Sequence, residues 1–344
     1  MSASQKILES IQVDEFSATP KYLQLSNSIV KGIQAGLIVK GDMMPSINEV
    51  SFEFDISRVT AEKGYNHLKS IGVLGSVPGK GYFIKSTEYT QTLKVFLLFN
   101  KLSPHKKIIY DSFVETLGAQ AAIDFYIYNN DFGLFKRLIE QRKEEYTHYV
   151  IIPHFIEGEE KAYEVINTLP KDHLIILDKI IPRISGDFGA VYQNFERDIY
   201  TSLEKAGEEL ARYETLNLIF PENSYAPREI IDGFIKFCQN YAFNYRIISS
   251  IQHELISENQ AYINIMEDDL VLLIEKIMAQ SLVLGQQVGI ISYNETPLKR
   301  LILNGLTTIS TDFKAMGKKA AELILTNSKE HIENPFYLTL RCSL

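Results

Sequence analysis

With 344 residues the chain has room for two or three domains, each large enough to bury its own core. Its 45% hydrophobic and 23% charged content is ordinary for a soluble globular protein, and two cysteines, Cys238 and Cys342, exclude a disulfide framework. Met1 to Ser10 lacks the apolar centre of a signal peptide, and no stretch approaches the run of about 20 apolar residues that spans a bilayer. A cytoplasmic protein with no membrane partner is therefore expected. The net charge of −8 is uneven: from Thr19 to Lys85 eight Lys/Arg stand against five Asp/Glu, leaving that stretch at +3 and the remainder at −11. Such a contrast permits a DNA-binding head on an acidic body.

Residues 1–18 read as a loose arm or a short packing helix. Pro20 opens a helix with Tyr22, Leu25, Ile29 and Ile33 on one face, and Gly36 ends it. After Met44-Pro45, Ser46 is placed to cap a second helix, with Glu49 three residues on at capping-box spacing and Val50 and Phe54 turned inward. Asp55-Ile56 turns into a third helix capped by Ser57, in which Ala61, Tyr65 and Leu68 form the buried stripe. Its other faces carry Arg58, Thr60, Glu62, Lys63, Asn66 and Lys69. A short helix with a donor-rich first half and a buried back suits the DNA major groove, and taken alone it equally suits a solvated surface. Residues 73–77 and 82–84 then read as two strands around Pro78-Gly79-Lys80-Gly81, a hairpin with a cation at its tip.

This order is that of a winged helix-turn-helix. Pro20-x-Tyr22-x-Gln24, Gly36-x-Ile38-x-x-Gly41-Asp42, Met44-Pro45-Ser46, Ser57-Arg58-x-Thr60, Gly72-Val73-Leu74 and Gly79-x-Gly81-Tyr82-Phe83 together resemble the DNA-binding domain of the GntR family of bacterial regulators. The resemblance implies that Arg58 and Thr60 face a double-stranded operator, with Ser46 on a phosphate and Gly79-Lys80 at the minor groove. Ser57 and Lys63 belong to the same surface. Family members usually carry Arg where Asn48 and Glu62 stand here. Asn48 can still bond a phosphate or an adenine edge, and Glu62 can accept from cytosine N4 or pair with Asn66.

Residues 86–91 read as a polar linker, which sets domain limits of 1–85 (core 20–85) and 92–344. Beyond it the rhythm changes to α/β. Strands over 93–99, 123–128, 149–152 and 174–177 alternate with helices near 108–120, 132–144 and 159–168. A second set of strands covers 216–220, 245–248, 261–265 and 288–291. Two such sets predict two lobes of parallel sheet with a ligand cleft beyond the strand ends.

Gly289 to Glu295, Leu306 to Phe313 and Met316-Gly317-Lys318-Lys319-Ala320-Ala321 resemble the LacI-type, periplasmic-binding-protein-like effector domain. Asp178 closing a strand, Ser224-x-x-x-Arg228-x-x-x-x-Gly233-Phe234 and Glu267-Asp268-Asp269 extend the likeness. A winged helix on this body is similar to the arabinose-repressor arrangement. The resemblance implies a monosaccharide effector, a pentose or deoxyhexose as a first guess, which releases the DNA. It implies Arg228 on sugar hydroxyls, Asn294 and Asp178 beside it, and Thr311 and Phe313 flanking or stacking on the ring. Asn294 stands where relatives often have Asp. Asn100, His154 and Asp268 also end strands and join the candidates.

The seven histidines lack paired zinc spacing, Gly79-Lys80-Gly81 lacks the phosphate-loop pattern, and no nucleophile elbow is present. No metal, cofactor or enzymatic activity is expected. The sequence reads as a homodimeric, ligand-responsive DNA-binding regulator, with a sugar-binding protein lacking DNA function as the rival.

Overall fold

The computed structural model describes residues 3–77, 79, 81–88, 93–142, 146–222 and 224–344. Its first six elements are α1 (Ala3–Ser10), α2 (Lys21–Gln34), α3 (Ile47–Glu53), α4 (Arg58–Ser70) and the antiparallel hairpin β1 (Leu74–Val77) and β2 (Gly81–Ile84). Leu25, Ile29 and Ile33 from α2 meet Val50 from α3 and Ala61, Tyr65 and Leu68 from α4 in one core. These are the residues that helical spacing turns inward. Ile7 and Ile11 complete that core, so the first residues form a packing helix, not a loose arm. Part of the expected 86–91 linker lies outside the described residues, as does Lys80.

The first lobe runs β3 (Leu93–Phe99), α5 (Pro104–Leu117), β4 (Ala121–Ile127), α6 (Phe132–Arg142), β5 (His148–Ile151), α7 (Glu159–Ile166), β6 (Leu174–Asp178) and β7 (Gly189–Tyr192). The second runs α8 (Phe195–Lys205), α9 (Gly207–Leu210), β8 (Thr215–Ile219), α10 (Glu229–Asn240), β9 (Asn244–Ile248), β10 (Gln260–Asn264), α11 (Glu267–Ala279), β11 (Val288–Tyr293) and β12 (Thr307–Thr311). The chain then returns to the first lobe for α12 (Phe313–Thr326) and β13 (His331–Glu333), and ends in the second with β14 (Phe336–Thr339). One sheet has the order β4-β3-β5-β6-β7-β13, all parallel. The other is β9-β8-β10-β11-β12-β14, with only β14 antiparallel. Apolar runs such as Val95 to Phe99 are buried on both faces, as parallel strands covered by helices require.

Three crossings join the lobes and are bonded to one another. Asn334 N–H donates to Tyr192 O at 2.8 Å, Asp312 N–H donates to Pro335 O at 2.9 Å, and Asn334 Nδ2 donates to Thr311 Oγ1 at 2.8 Å.

Within the second lobe α10 approaches α8 closely at Gly233, where a Cβ would lie 2.2 Å from Glu196 O and 2.6 Å from Ile199 Cγ2. A backbone oxygen cannot swing aside as a side-chain end can. Gly233→Ala is expected to lower the unfolding free energy by about 1–3 kcal/mol, read from thermal or urea unfolding. Gly317 holds α12 to α5 in the same way: a Cβ there would lie 2.3 Å from Ile109 O.

Candidate functional site

The face of the head that the sequence points toward DNA is built on two helix caps. Ser46 caps α3 in a full capping box: Glu49 N–H donates to Ser46 Oγ at 3.2 Å and Ser46 N–H donates to Glu49 Oε2 at 2.7 Å. Those bonds hold the Glu49 carboxyl below its ordinary range. Ser57 caps α4, accepting from Thr60 N–H at 3.1 Å and sharing a bond with Thr60 Oγ1 at 2.8 Å. Behind this face the buried Tyr65 hydroxyl donates to Pro45 O at 2.7 Å, tying α4 to the start of α3. Asn48, Arg58, Glu62 and Lys63 are exposed on the solvent side. Among the described residues Arg58, Glu62 and Lys63 make no ion pair or side-chain hydrogen bond, so Glu62 is not tied to Asn66. Gly79 is exposed at φ +76°, a left-handed turn that lets backbone approach a phosphate without a side chain in the way. The face therefore presents uncommitted donors and one acceptor on a rigid helix, which is what base-edge readout needs.

A second site lies between the lobes. It is walled by His105, Lys106, His154, Asp178, Gln193 and Phe195. Tyr225, Met266, Tyr293, Asn294 and Phe313 are among the residues that complete it. Asp178 is its electrostatic centre. Lys106 Nζ donates to Asp178 Oδ2 at 2.6 Å, His154 Nε2 lies 3.0 Å from the same oxygen, and Gln193 Nε2 donates to Oδ1. Burial by itself would raise the Asp178 carboxyl, but Lys106 and His154 hold it well below its ordinary value. Burial lowers His154, the Asp178 bond opposing, so its imidazole is neutral and Nε2–H is the donor. That leaves Nδ1 as a bare acceptor. His154 Nδ1, Gln193 Oε1 and Tyr293 Oη are buried with no hydrogen-bond partner in the protein. Asp178 (φ +74°) and Asn294 (φ +64°) both hold left-handed backbone at strand ends, a strain that clusters at functional sites.

Four of the expected ligand residues are thus at the cavity: His154, Asp178, Asn294 and Phe313. Phe313 stacks on His105, with ring centres 4.9 Å apart. The other four stand outside its wall. Arg228 is exposed at the cap of α10, between the wall residues Pro227 and Ile230. Asp268 is exposed in the first turn of α11, where a carboxylate favours the positive helix end. Asn100 is buried but turns to Asn130, donating to its Oδ1 at 2.7 Å. Thr311 is spent on the crossing, accepting from Asn334.

The sequence reading missed His105, Lys106, Gln193 and Tyr293. The available signal was Ser103-Pro104, a cap followed by proline in the first turn, which starts α5 four residues earlier than expected and brings His105 and Lys106 into its first turn.

Burial sets the acid response of the lobes and the head. His105 is pushed down to about 3, first by burial and then by Lys106, and His148 to about 4 by burial and His173. His67 and His154 are also lowered by burial. With their folded values lowered, these histidines bind fewer protons folded than unfolded once the pH falls below about 6.5, so their stability contribution is full above that pH and is lost as the pH falls beneath it. Asp198, pushed up to about 7 by burial, and Asp269, also raised, act in the opposite sense. Four histidines outweigh two carboxylates. The melting temperature is expected to fall between pH 7 and pH 5.5.

Comparison with known proteins separates the two parts of the chain. Residues 21–84 match the family described as bacterial regulatory proteins, gntR family. Residues 21–84 form a GntR-type helix-turn-helix domain. The uncharacterized HTH-type regulator YurK of Bacillus subtilis is 34% identical over 77 residues, 22% of this chain and 32% of that protein. The chain therefore spans about a third of YurK. The two-lobed body has the LacI-type fold. A LacI family regulator from Lactobacillus casei, solved with bound glucose, aligns at TM-score 0.58 and 13% identity over 73% of this chain and 99% of its own. The trehalose repressor of Escherichia coli aligns at TM-score 0.59 and 13% identity, over 72% and 99%. Among the described residues no helix is long and apolar enough to cross a membrane, and no group of His, Cys, Asp or Glu is placed to hold a metal ion.

Proposed function

We propose that this chain is a transcription regulator, a repressor of a carbohydrate-use operon, whose GntR-type head leaves its operator when a neutral monosaccharide closes the cleft. One observation carries the effector half: three unpartnered, buried polar atoms, His154 Nδ1, Gln193 Oε1 and Tyr293 Oη, surround a Lys106–Asp178 pair whose charges already cancel. Two bare acceptors and a hydroxyl match the O–H groups of a polyol. A buried polar atom left unmade costs about 1–3 kcal/mol, so a ligand that supplies those bonds gains correspondingly. With the Lys106 charge neutralised, a phosphorylated sugar finds no free cation in the wall. Phe313 and Phe195 offer apolar faces for a sugar ring. The glucose and trehalose named with the aligned structures support the same chemical class.

In the head, Arg58 and Thr60 read base edges, Glu62 accepts from a cytosine, and Ser46, Asn48, Ser57, Lys63, Gly79 and Lys80 position the phosphates. A two-fold operator calls for a homodimer. No step here requires a catalytic group, metal or cofactor. A thermal-shift screen against neutral monosaccharides and their phosphates tests the reading. A neutral sugar at about 100 times its Kd should add roughly 2.7 kcal/mol of stability. A response to phosphorylated sugars alone would contradict it.

A further inference from the structure

The segment between α1 and α2 is bonded to the first lobe, not only to the head. Ala18 N–H donates to Phe125 O at 2.6 Å, Phe125 N–H donates to Thr19 Oγ1 at 2.6 Å, and Thr19 Oγ1 lies 3.4 Å from Ile123 O. These are the outward-facing groups of β4, the edge strand of its sheet, which would otherwise be open to another chain. Beside them Asp14 Oδ2 pairs with Arg142 at 2.8 Å and accepts from the Tyr126 hydroxyl at 3.2 Å. Arg142 lies over the Tyr126 ring, and Lys31 of α2 faces Asp124 at 3.8 Å. From the head side, Gln24 grips both ends of the segment: its Oε1 accepts from Asp14 N–H at 2.8 Å and its Nε2 donates to Thr19 O at 2.7 Å. Ala18 packs on the core of the first lobe.

We propose that residues 14–19 are a clamp that docks the winged helix on the first lobe, so that head and lobe move as one body. The clamp uses α2 and the edge of β4 and leaves the exposed face of α4 open. It also gives the cleft a route to the head besides the 86–91 segment. His105 and Lys106 in the first turn of α5 wall the cleft, while Tyr110 and Val114, one and two turns on, share a cavity with Leu23, Asn27 and His67 of the head. That regulatory consequence rests on the function proposed above; the clamp does not.

Amide hydrogen exchange on the full chain tests it without ligand or DNA. In the wild type the Ala18 and Phe125 amides are expected to be protected and to exchange together. In Asp14→Ala/Thr19→Val both should exchange at least about tenfold faster, with Val95 and Val150 on neighbouring strands unchanged. An Ala18 amide exchanging at the free-peptide rate in the wild type, or unchanged Phe125 protection in the variant, would overturn the clamp. Spin labels at Lys40→Cys and Lys161→Cys, in a Cys342→Ser background and diluted with unlabelled chain so that only distances within one protomer are read, give a second readout. One narrow distance distribution is expected, and a broad one in the unaltered clamp would also overturn it.

Discussion

Asp178→Ala is expected to destabilise the protein by about 3–5 kcal/mol and to abolish sugar binding. The substitution leaves the Lys106 ammonium, 3% exposed, without its counter-charge and removes the acceptor of His154 Nε2–H and Gln193 Nε2. The loss reflects an orphaned charge more than the worth of the pair. Replacing both partners separates the two effects, because a buried pair exchanged for apolar groups of similar volume is often neutral or stabilising. Asp178→Leu/Lys106→Met should therefore regain much of the stability, measured by urea unfolding, while still failing to respond to sugar. A double variant that bound sugar normally would remove the pair from the site.

Arg58→Ala is expected to weaken operator binding by about 1–3 kcal/mol, roughly 5- to 150-fold, with sugar binding and melting temperature unchanged. Arg58 is exposed and unpaired at the start of α4, so truncation leaves no internal partner behind. Its loss should also relax discrimination at one base position, whereas loss of a phosphate contact weakens all sequences alike. Binding to the selected operator and to single-base variants of it, at one salt concentration, distinguishes these. A uniform loss across sequences would make Arg58 a phosphate contact.

The head was legible almost throughout because each element carries its own local signal. Ser46 and Ser57 are caps, Ala61, Tyr65 and Leu68 form a helical stripe, and Gly79 and Gly81 mark the turn. In the body the long apolar strands were equally plain, and β3 occupies the expected 93–99. The short strands were not: β7 has four residues, one of them Gly189, and β13 has three on a sheet edge. Neither length carries a period. The crossing of α12 back to the first lobe leaves no local mark either, since Gly317 and Ala320 pack on α5 only through the tertiary fold. That is why Thr311 carries no sequence sign of its crossing bond to Asn334, and why Tyr225 in the cleft wall could not be told from its neighbour Arg228. The cleft chemistry at Lys106 and Gln193 depends on side chains brought together from α5 and the β7–α8 crossing, 87 positions apart in sequence.

Operator release by the effector is the central claim, and one titration tests it. A duplex selected from random sequence by the full protein is held at a concentration near its Kd, and the neutral monosaccharide that raises the melting temperature most is added. Binding of that duplex is expected to weaken at least about tenfold as the sugar saturates, the size of a typical coupling between sites. Unchanged operator affinity with the sugar demonstrably bound would contradict it.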